Sequence, residues 1–217
     1  MKMRQKLDEK VWEQFQEHDK LSDIQVEQFK KYTMFLEQKN KEFNLTAITD
    51  LSGIVRQHFS DSLTIRNFID LSKISVLADI GSGAGFPGIP LKILYPHLTL
   101  ILIEVKNKKR QFLQDVANLL ELEDVYVNEY DWRTFLRITE FDVDLFVTKA
   151  ALPDVELCRA FKPGCRYKQT QIAYWAGQEW EPHSKVVQFV RRVEEYKLGK
   201  KNRKLIFFCL DEKKPIE

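Results

Sequence analysis

Cysteine is scarce in this chain: three residues, Cys158, Cys165 and Cys209, with no C-x-x-C pair. A scattered, odd-numbered set argues against a disulfide framework or a thiolate metal site, and for thiols in a reducing compartment. The four histidines, His18, His58, His97 and His183, are equally dispersed, so no metal centre is expected. No apolar run approaches the roughly 20 residues needed to span a bilayer. The opening Met1-Lys2-Met3-Arg4-Gln5-Lys6 leads into charged residues rather than an apolar signal core. A cytoplasmic protein that makes no membrane contact is the expectation. An excess of one charge is missing too. Lys and Arg number 34 against 32 Asp and Glu, a net charge of +2, so only local basic clusters argue for nucleic acid. What is present, 44% hydrophobic and 30% charged residues in 217, suits one large folded domain or a core with a helical attachment.

Glycine and proline are absent from about Lys6 to Asn40, where apolar residues recur at helical spacing: Leu7, Val11 and Phe15, then Ile24, Phe29, Tyr32 and Phe35. Ser22-Asp23 marks a helix start between the two groups, and a further helix is expected from Leu51 to Phe68. Residues 1–70 therefore read as an N-terminal helical layer, and 71–217 as a core of different character. There, short apolar runs at 76–80, 98–104, 125–127 and 143–147 alternate with helix-like segments at 89–95, 108–120 and 154–161. Strands alternating with helices imply right-handed crossovers and a mostly parallel sheet. The last third, with strand-like runs at 170–175, 186–196 and 205–210, predicts an antiparallel C-terminal edge closed by a hairpin.

Between the first run and its helix lies Asp79-Ile80-Gly81-Ser82-Gly83-Ala84-Gly85-Phe86-Pro87-Gly88. Glycines in a strand-to-helix turn let a ligand lie directly against the backbone, and the following helix start presents free N–H groups. Glu104 closes the second strand, 23 positions after Gly81. A carboxylate there can accept hydrogen bonds from both ribose hydroxyls of an adenosine. These features fit either a nicotinamide dinucleotide or S-adenosylmethionine. The dinucleotide fingerprint G-x-G-x-x-G is not met, because position 86 is Phe.

The string from Asp79 to Ile93, above all its Phe86-Pro87-Gly88-Ile89-Pro90 extension, closely resembles the first motif of the RsmG/GidB family, the bacterial ribosomal small-subunit guanine-N7 methyltransferases. Phe43-Asn44-Leu45-Thr46-Ala47 is similar to that family's (Y/F)NLT segment, and Arg56-Gln57-His58-Phe59-Ser60-Asp61-Ser62 to its RH-x-x-DS segment. Lys108-Lys109-Arg110-Gln111-Phe112-Leu113 resembles its K(R/K)-x-x-FL helix. The resemblance is good from about Gln28 to Asn128 and weaker beyond. It implies a class I S-adenosylmethionine-dependent methyltransferase (Rossmann-like) fold, S-adenosyl-L-methionine as cofactor, and a guanine of small-subunit 16S rRNA, free or in the 30S particle, as acceptor; a monomer is the expected state. Cofactor contacts are then expected from Gly81, Ser82, Gly83, Gly85, Phe86, Glu104, Asp131, Trp132, Arg133 and Lys149, with adenine held by backbone groups of the 131–134 segment and by stacking on Trp132.

Three segments depart from the family pattern. Thr148-Lys149-Ala150 stands for S-R-A, Tyr174-Trp175-Ala176-Gly177 for A-L-K-G, and Asp131-Trp132-Arg133-Thr134 for R-x-E-(E/D). Lysine keeps the charge of the arginine but loses its planar fork. Lys149 is the expected catalytic residue, orienting substrate or cofactor, while Asn44, His58 and Asp61 are expected to bind substrate from the helical layer. A guanine N7 already carries an in-plane lone pair, so alignment rather than acid–base chemistry is required. Basic stretches at 106–110, 191–192 and 197–204, with Tyr174, Trp175 and Trp180 nearby, are the expected RNA contacts. The alternative is an S-adenosylmethionine-binding paralogue with another acceptor or a non-catalytic ribosome-associated role.

Overall fold

The computed structural model describes residues 2–149 and 151–210, so residue 150 and the last seven positions of the expected core lie outside the described residues. Two long helices open the chain, α1 (Lys2–Asp19) and α2 (Asp23–Asn40). Ser22 begins α2 through a capping box: its hydroxyl accepts from the Gln25 N–H, and the Gln25 side chain accepts from the Ser22 N–H. Val26, Phe29, Tyr32, Thr33 and Leu36, which fall on one side of the helical repeat, form the buried face of α2. The helix expected at 51–68 is a composite. α3 (Leu51–Ile54) runs into a π-helical turn (Val55–Ser60), then α4 (Asp61–Leu63) and a 3-10 turn (Thr64–Asn67).

The sheet follows as expected in kind, with shifted ends. Its strands are β1 (Val76–Ile80), β2 (Thr99–Ile103), β3 (Val125–Asn128), β4 (Leu145–Lys149) and β5 (Gln171–Gly177), then the hairpin β6 (Val190–Leu198) and β7 (Lys201–Phe208). α5 (Gly88–Leu94), α6 (Asn107–Leu119), α7 (Trp132–Ile138) and α8 (Asp154–Leu157) make the crossovers. Spatial order is β3-β2-β1-β4-β5-β7-β6. The first five strands are parallel, and β7 and β6 join antiparallel. The strand expected from 186 starts later, because residues 187–189 form a 3-10 turn.

Alternation along the strands divides the core between the two faces of the sheet. Leu77, Leu100, Leu102, Val147, Trp175 and Phe207 face the N-terminal helices, α5 and α6. Ile80, Ile101, Phe146, Ile172 and Ile206 face α7 and α8. Strand order reverses between β1 and β4, because β2 lies beyond β1 on one side and β5 beyond β4 on the other. Loops leaving the carboxyl ends of these two strands border a crevice, the usual ligand position in open α/β sheets. This is the fold of the class I S-adenosylmethionine-dependent methyltransferases.

Candidate functional site

The glycine loop leaves β1 at that switch point. Its path is fixed by backbone bonds: Gly81 and Ser82 N–H both donate to the Ile103 carbonyl of β2, at 2.9 and 3.1 Å. Ser82 Oγ donates to the Asp79 carbonyl, and Gly85 and Phe86 N–H return to the Ser82 carbonyl. Gly85, at φ +94°, has no space for a side chain, since a Cβ would lie 2.7 Å from both Ile89 Cδ1 and the Tyr32 hydroxyl. Gly83 (φ +59°) differs: a Cβ there meets nothing closer than 3.8 Å, and one neighbour is Lys109 Nζ at 3.9 Å. Gly81 and Gly83 carry the loop's exposed surface, while Ser82, Ala84, Gly85 and Phe86 are buried. Gly85 thus serves packing, whereas the backbone at Gly83 has open space beside it.

Two carboxylates hold this loop. Glu104 Oε2 accepts from Gly83 N–H at 3.0 Å, and Oε1 accepts from Lys106 N–H at 2.9 Å. Each oxygen keeps a further acceptor position. Asp79 lies beneath the loop, wholly buried, with Oδ2 accepting from Gly88 N–H at 2.9 Å. Its Oδ1 has no hydrogen-bond partner among the described residues. Burial, against the opposing Gly88 bond and with the negative charge of Glu104 adding, pushes its carboxyl up to about 7.

The expected substrate residues from the helical layer occupy three different settings. Asn44 is exposed on the loop after α2. His58 is half-buried, its ring stacked on Phe86 at 4.3 Å between centroids, with Nε2 2.8 Å from the Thr46 hydroxyl. Burial first, and then the Lys149 charge, lower its pKa to about 4, so the ring is neutral near pH 7. Asp61 corrects the expectation of a substrate contact. It is fully buried, and both carboxylate oxygens are taken: Oδ1 by the Tyr196 hydroxyl at 2.6 Å, Oδ2 by Lys149 Nζ at 2.6 Å and Arg203 Nη2 at 3.3 Å. Trp175 Nε1 donates to the Asp61 carbonyl at 2.8 Å. Asp61 therefore fastens the helical layer to β4, β5 and the hairpin.

Lys149 ends β4, and continuing the β1–β4 register brings it level with Gly81. Its ammonium donates to the Gln57 carbonyl at 2.6 Å besides pairing with Asp61. The charge thus points into the helical layer. Burial lowers its pKa, and the Asp61 carboxylate opposes that shift.

The third departing segment sits at the start of α7, just beyond β3, whose Asn128 carbonyl accepts from Glu104 N–H. Asp131 caps α7, its side chain accepting from Thr134 N–H at 2.8 Å, a bond that lowers its pKa. Arg133 is exposed and grips Glu156 with two bonds of 3.0 Å. Trp132 corrects the stacking expectation: its ring is buried against Phe135 and Phe146, and Nε1 donates to the Glu156 carbonyl. A ring only 4% exposed offers no platform to an adenine. The sequence reading missed Tyr32, whose hydroxyl donates to the Ala84 carbonyl and whose ring stacks on Phe86. It also missed Tyr196 and Arg203 around Asp61. No local signal marks them, because the partners lie in distant parts of the chain. Among the described residues no cluster of His, Cys, Asp or Glu is placed to hold a metal, and no helix is long and apolar enough to cross a membrane.

Known proteins resemble this chain at two levels. Ribosomal RNA small subunit methyltransferase G of Lysinibacillus sphaericus is 45% identical over 105 residues, covering 48% of this chain and 44% of that protein. The protein of the same name from Aster yellows witches'-broom phytoplasma is 44% identical over 114 residues, covering 52% of this chain and 54% of its own length. The chain thus spans about half the length of the curated relatives it matches. In three dimensions, a mutant of MtNAS in complex with S-adenosylmethionine superposes with a TM-score of 0.56 at 17% identity, covering 91% of this chain and 84% of that one. TrmK of M. capricolum with S-adenosyl-homocysteine gives 0.54 at 10% identity, covering 70% and 68%. At such identities the likeness is one of fold. The sequence profile of GidB, rRNA small subunit methyltransferase G, extends over residues 25–206, from α2 to β7, and by that match the chain belongs to the GidB family.

Proposed function

We propose that the chain is an S-adenosylmethionine-dependent methyltransferase that modifies guanine N7 of 16S rRNA, acting on the small ribosomal subunit as a cytoplasmic monomer. The observation that carries this reading is the open glycine loop between two carboxylates at the sheet's switch point. The residues fit this cofactor. Asp79 Oδ1 is a buried acceptor without a partner among the described residues, beneath a loop whose ligand would be cationic. Gly81 and Gly83 would receive the methionine portion of the donor, over the turn shaped by Ser82, Gly85 and Phe86. Glu104 retains acceptor positions for two ribose hydroxyls, and the Asp131–Arg133 segment borders the adenine side. When bound, S-adenosylmethionine supplies an electrophilic methyl group on a positively charged sulfur.

The chain's own share of the chemistry is placement. Guanine N7 needs no proton removed, so the protein has to align that nitrogen and exclude water. Lys149, held by Asp61 and Gln57, fixes the crevice wall beside Gly81 and acts as a positioning residue. A second reading, donor binding without transfer to rRNA, draws on that same engagement of the Lys149 ammonium. The test uses purified protein, labelled donor, and 30S particles or naked 16S rRNA, with nucleosides analysed after digestion. Label in N7-methylguanosine is the expected result. Donor binding without any labelled nucleoside would reject the enzyme in favour of the second reading.

A further inference from the structure

The turn of the β6–β7 hairpin lies against the helical layer at the same end of the sheet as Lys149. Antiparallel pairing sets Gly177, at the carboxyl end of β5, opposite Arg203 near the start of β7. Residues 201–203 therefore stand at the edge where β1 and β4 deliver Gly81 and Lys149. Gln57 joins the two regions: its carbonyl accepts from Lys149 Nζ at 2.6 Å, and its Oε1 accepts from Lys201 Nζ at 3.0 Å. Arg56, the preceding residue, packs under the hairpin turn, its Cδ 3.3 Å from where a Cβ on Gly199 would stand.

The exposed charges at this rim are mainly basic. Arg56, Lys197, Lys200 and Lys201 are all exposed, and none forms an ion pair among the described residues. Of the nearby carboxylates, Glu194 holds Arg192 and Asp61 is buried on Lys149 and Arg203, while Glu195, two residues from Lys197 on β6, is exposed and forms no ion pair among the described residues. Arg56 and Lys197 also line a groove of about 400 Å³ between α1, the π-helical turn and the hairpin. In that groove Asp19 is buried and already bonded to Arg66 and Ser60. Four exposed cations that form no ion pair among the described residues add little to the stability of the fold. Unpaired Lys and Arg at such a rim match a phosphate backbone.

We propose that Arg56, Lys197, Lys200 and Lys201 form the seat for the phosphate backbone of the RNA substrate, holding the strand while its guanine reaches the crevice beside Lys149. This rests on the function proposed above and adds to it a surface, outside the cofactor loop, contributed jointly by the helical layer and the C-terminal hairpin. The seat binds charge rather than sequence, so its affinity depends on salt.

The experiment compares the full chain with a Lys197→Ala/Lys200→Ala variant, in filter binding to a 16S rRNA transcript and to 30S particles over a range of salt. Lys6→Ala/Lys10→Ala, an equal loss of charge on α1, is the control. Loss of two phosphate contacts makes the log–log salt slope shallower by about 1.4–1.8 and weakens binding about 25–60-fold near 0.1 M salt, with the control unchanged. Calorimetry with S-adenosylmethionine should give the same affinity for all three proteins. Unchanged slope and affinity in the variant, while the wild-type chain still methylates 30S particles, would overturn the seat and leave the proposed function standing. Loss of particle binding with the transcript bound as before would assign the patch to a protein and also overturn it. A wild-type chain that binds neither transcript nor particle would reject the proposed function itself.

Discussion

Replacing Asp79 by asparagine tests the idea that the glycine loop is built around a carboxylate waiting for a cation. Burial lifts this carboxyl from an ordinary 3.8 to about 7. A raised folded pKa means that the stability Asp79 contributes is fully present below its unfolded value. It is lost as pH climbs toward about 7, because the folded state must then carry a buried, half-satisfied anion. The amide of Asp79→Asn carries no charge and can still accept from Gly88 N–H. The pH-dependent loss therefore disappears, although the amide nitrogen would be left unpaired at a cost of about 1–3 kcal/mol. At about 1.4 kcal/mol per pH unit, the stability difference between variant and wild type should move in the variant's favour by roughly 2–3 kcal/mol from about pH 5 to about pH 8. For a domain of this size that corresponds to a relative Tm change of about 5–10 °C. Thermal unfolding across this pH range, followed by circular dichroism, measures it directly. Parallel Tm curves for the two proteins would refute the reasoning, since a carboxyl that titrates normally gives no such divergence. The same variant should bind S-adenosylmethionine at least about tenfold more weakly above pH 7, as expected for loss of a buried charge interaction.

The two loop glycines should separate. Gly85→Ala is expected to lower stability by about 1–3 kcal/mol through overpacking against Ile89 and Tyr32. Gly83→Ala should lose only about 1 kcal/mol, the strain of a positive φ, while donor affinity measured by calorimetry falls severely; equal affinity in Gly83→Ala and wild type would remove Gly83 from the ligand surface. Asp61→Ala leaves Lys149 and Arg203 without their counter-charge and should cost about 3–5 kcal/mol in denaturant unfolding. A loss below about 1 kcal/mol would mean that water reaches the pair. Glu104→Gln should raise the donor Kd by about ten- to a hundredfold while preserving the fold, and an unchanged Kd would take Glu104 out of ribose recognition.

The parts of the site readable from the sequence were local ones. A glycine turn between an apolar run and a helix, followed by an acid at the next strand end, is contained in 26 consecutive residues, 79–104, and its physics is that of short-range backbone geometry. The capping box at Ser22 is equally local and starts α2 where the Ser22-Asp23 signal places it, whereas α1 reaches back to Lys2, ahead of its apolar repeat. Asp61 was misread because what determines its role lies 135 residues away at Tyr196 and 142 away at Arg203. Trp132 was misread for a related reason. A helix-start tryptophan can turn toward ligand or toward core; Phe135 stands one turn along the same helix, and Phe146, brought alongside by β4, decides for the core. The π-helical turn at 55–60 has no local signature either. It becomes intelligible once Gln57 is seen bonded to both Lys149 and Lys201.

The Asp61 cluster also bears on how the protein is made. During synthesis the helical layer and the first five strands emerge before residues 196–203, so the Asp61 carboxylate meets Lys149 early but lacks Tyr196 and Arg203. β5, too, is an open edge until β7 covers it. The last hairpin thus acts as a latch that completes a half-formed charge pair and closes an exposed strand in one movement. A nascent chain stopped short of it should remain a substrate for chaperones and proteases, however complete its cofactor loop.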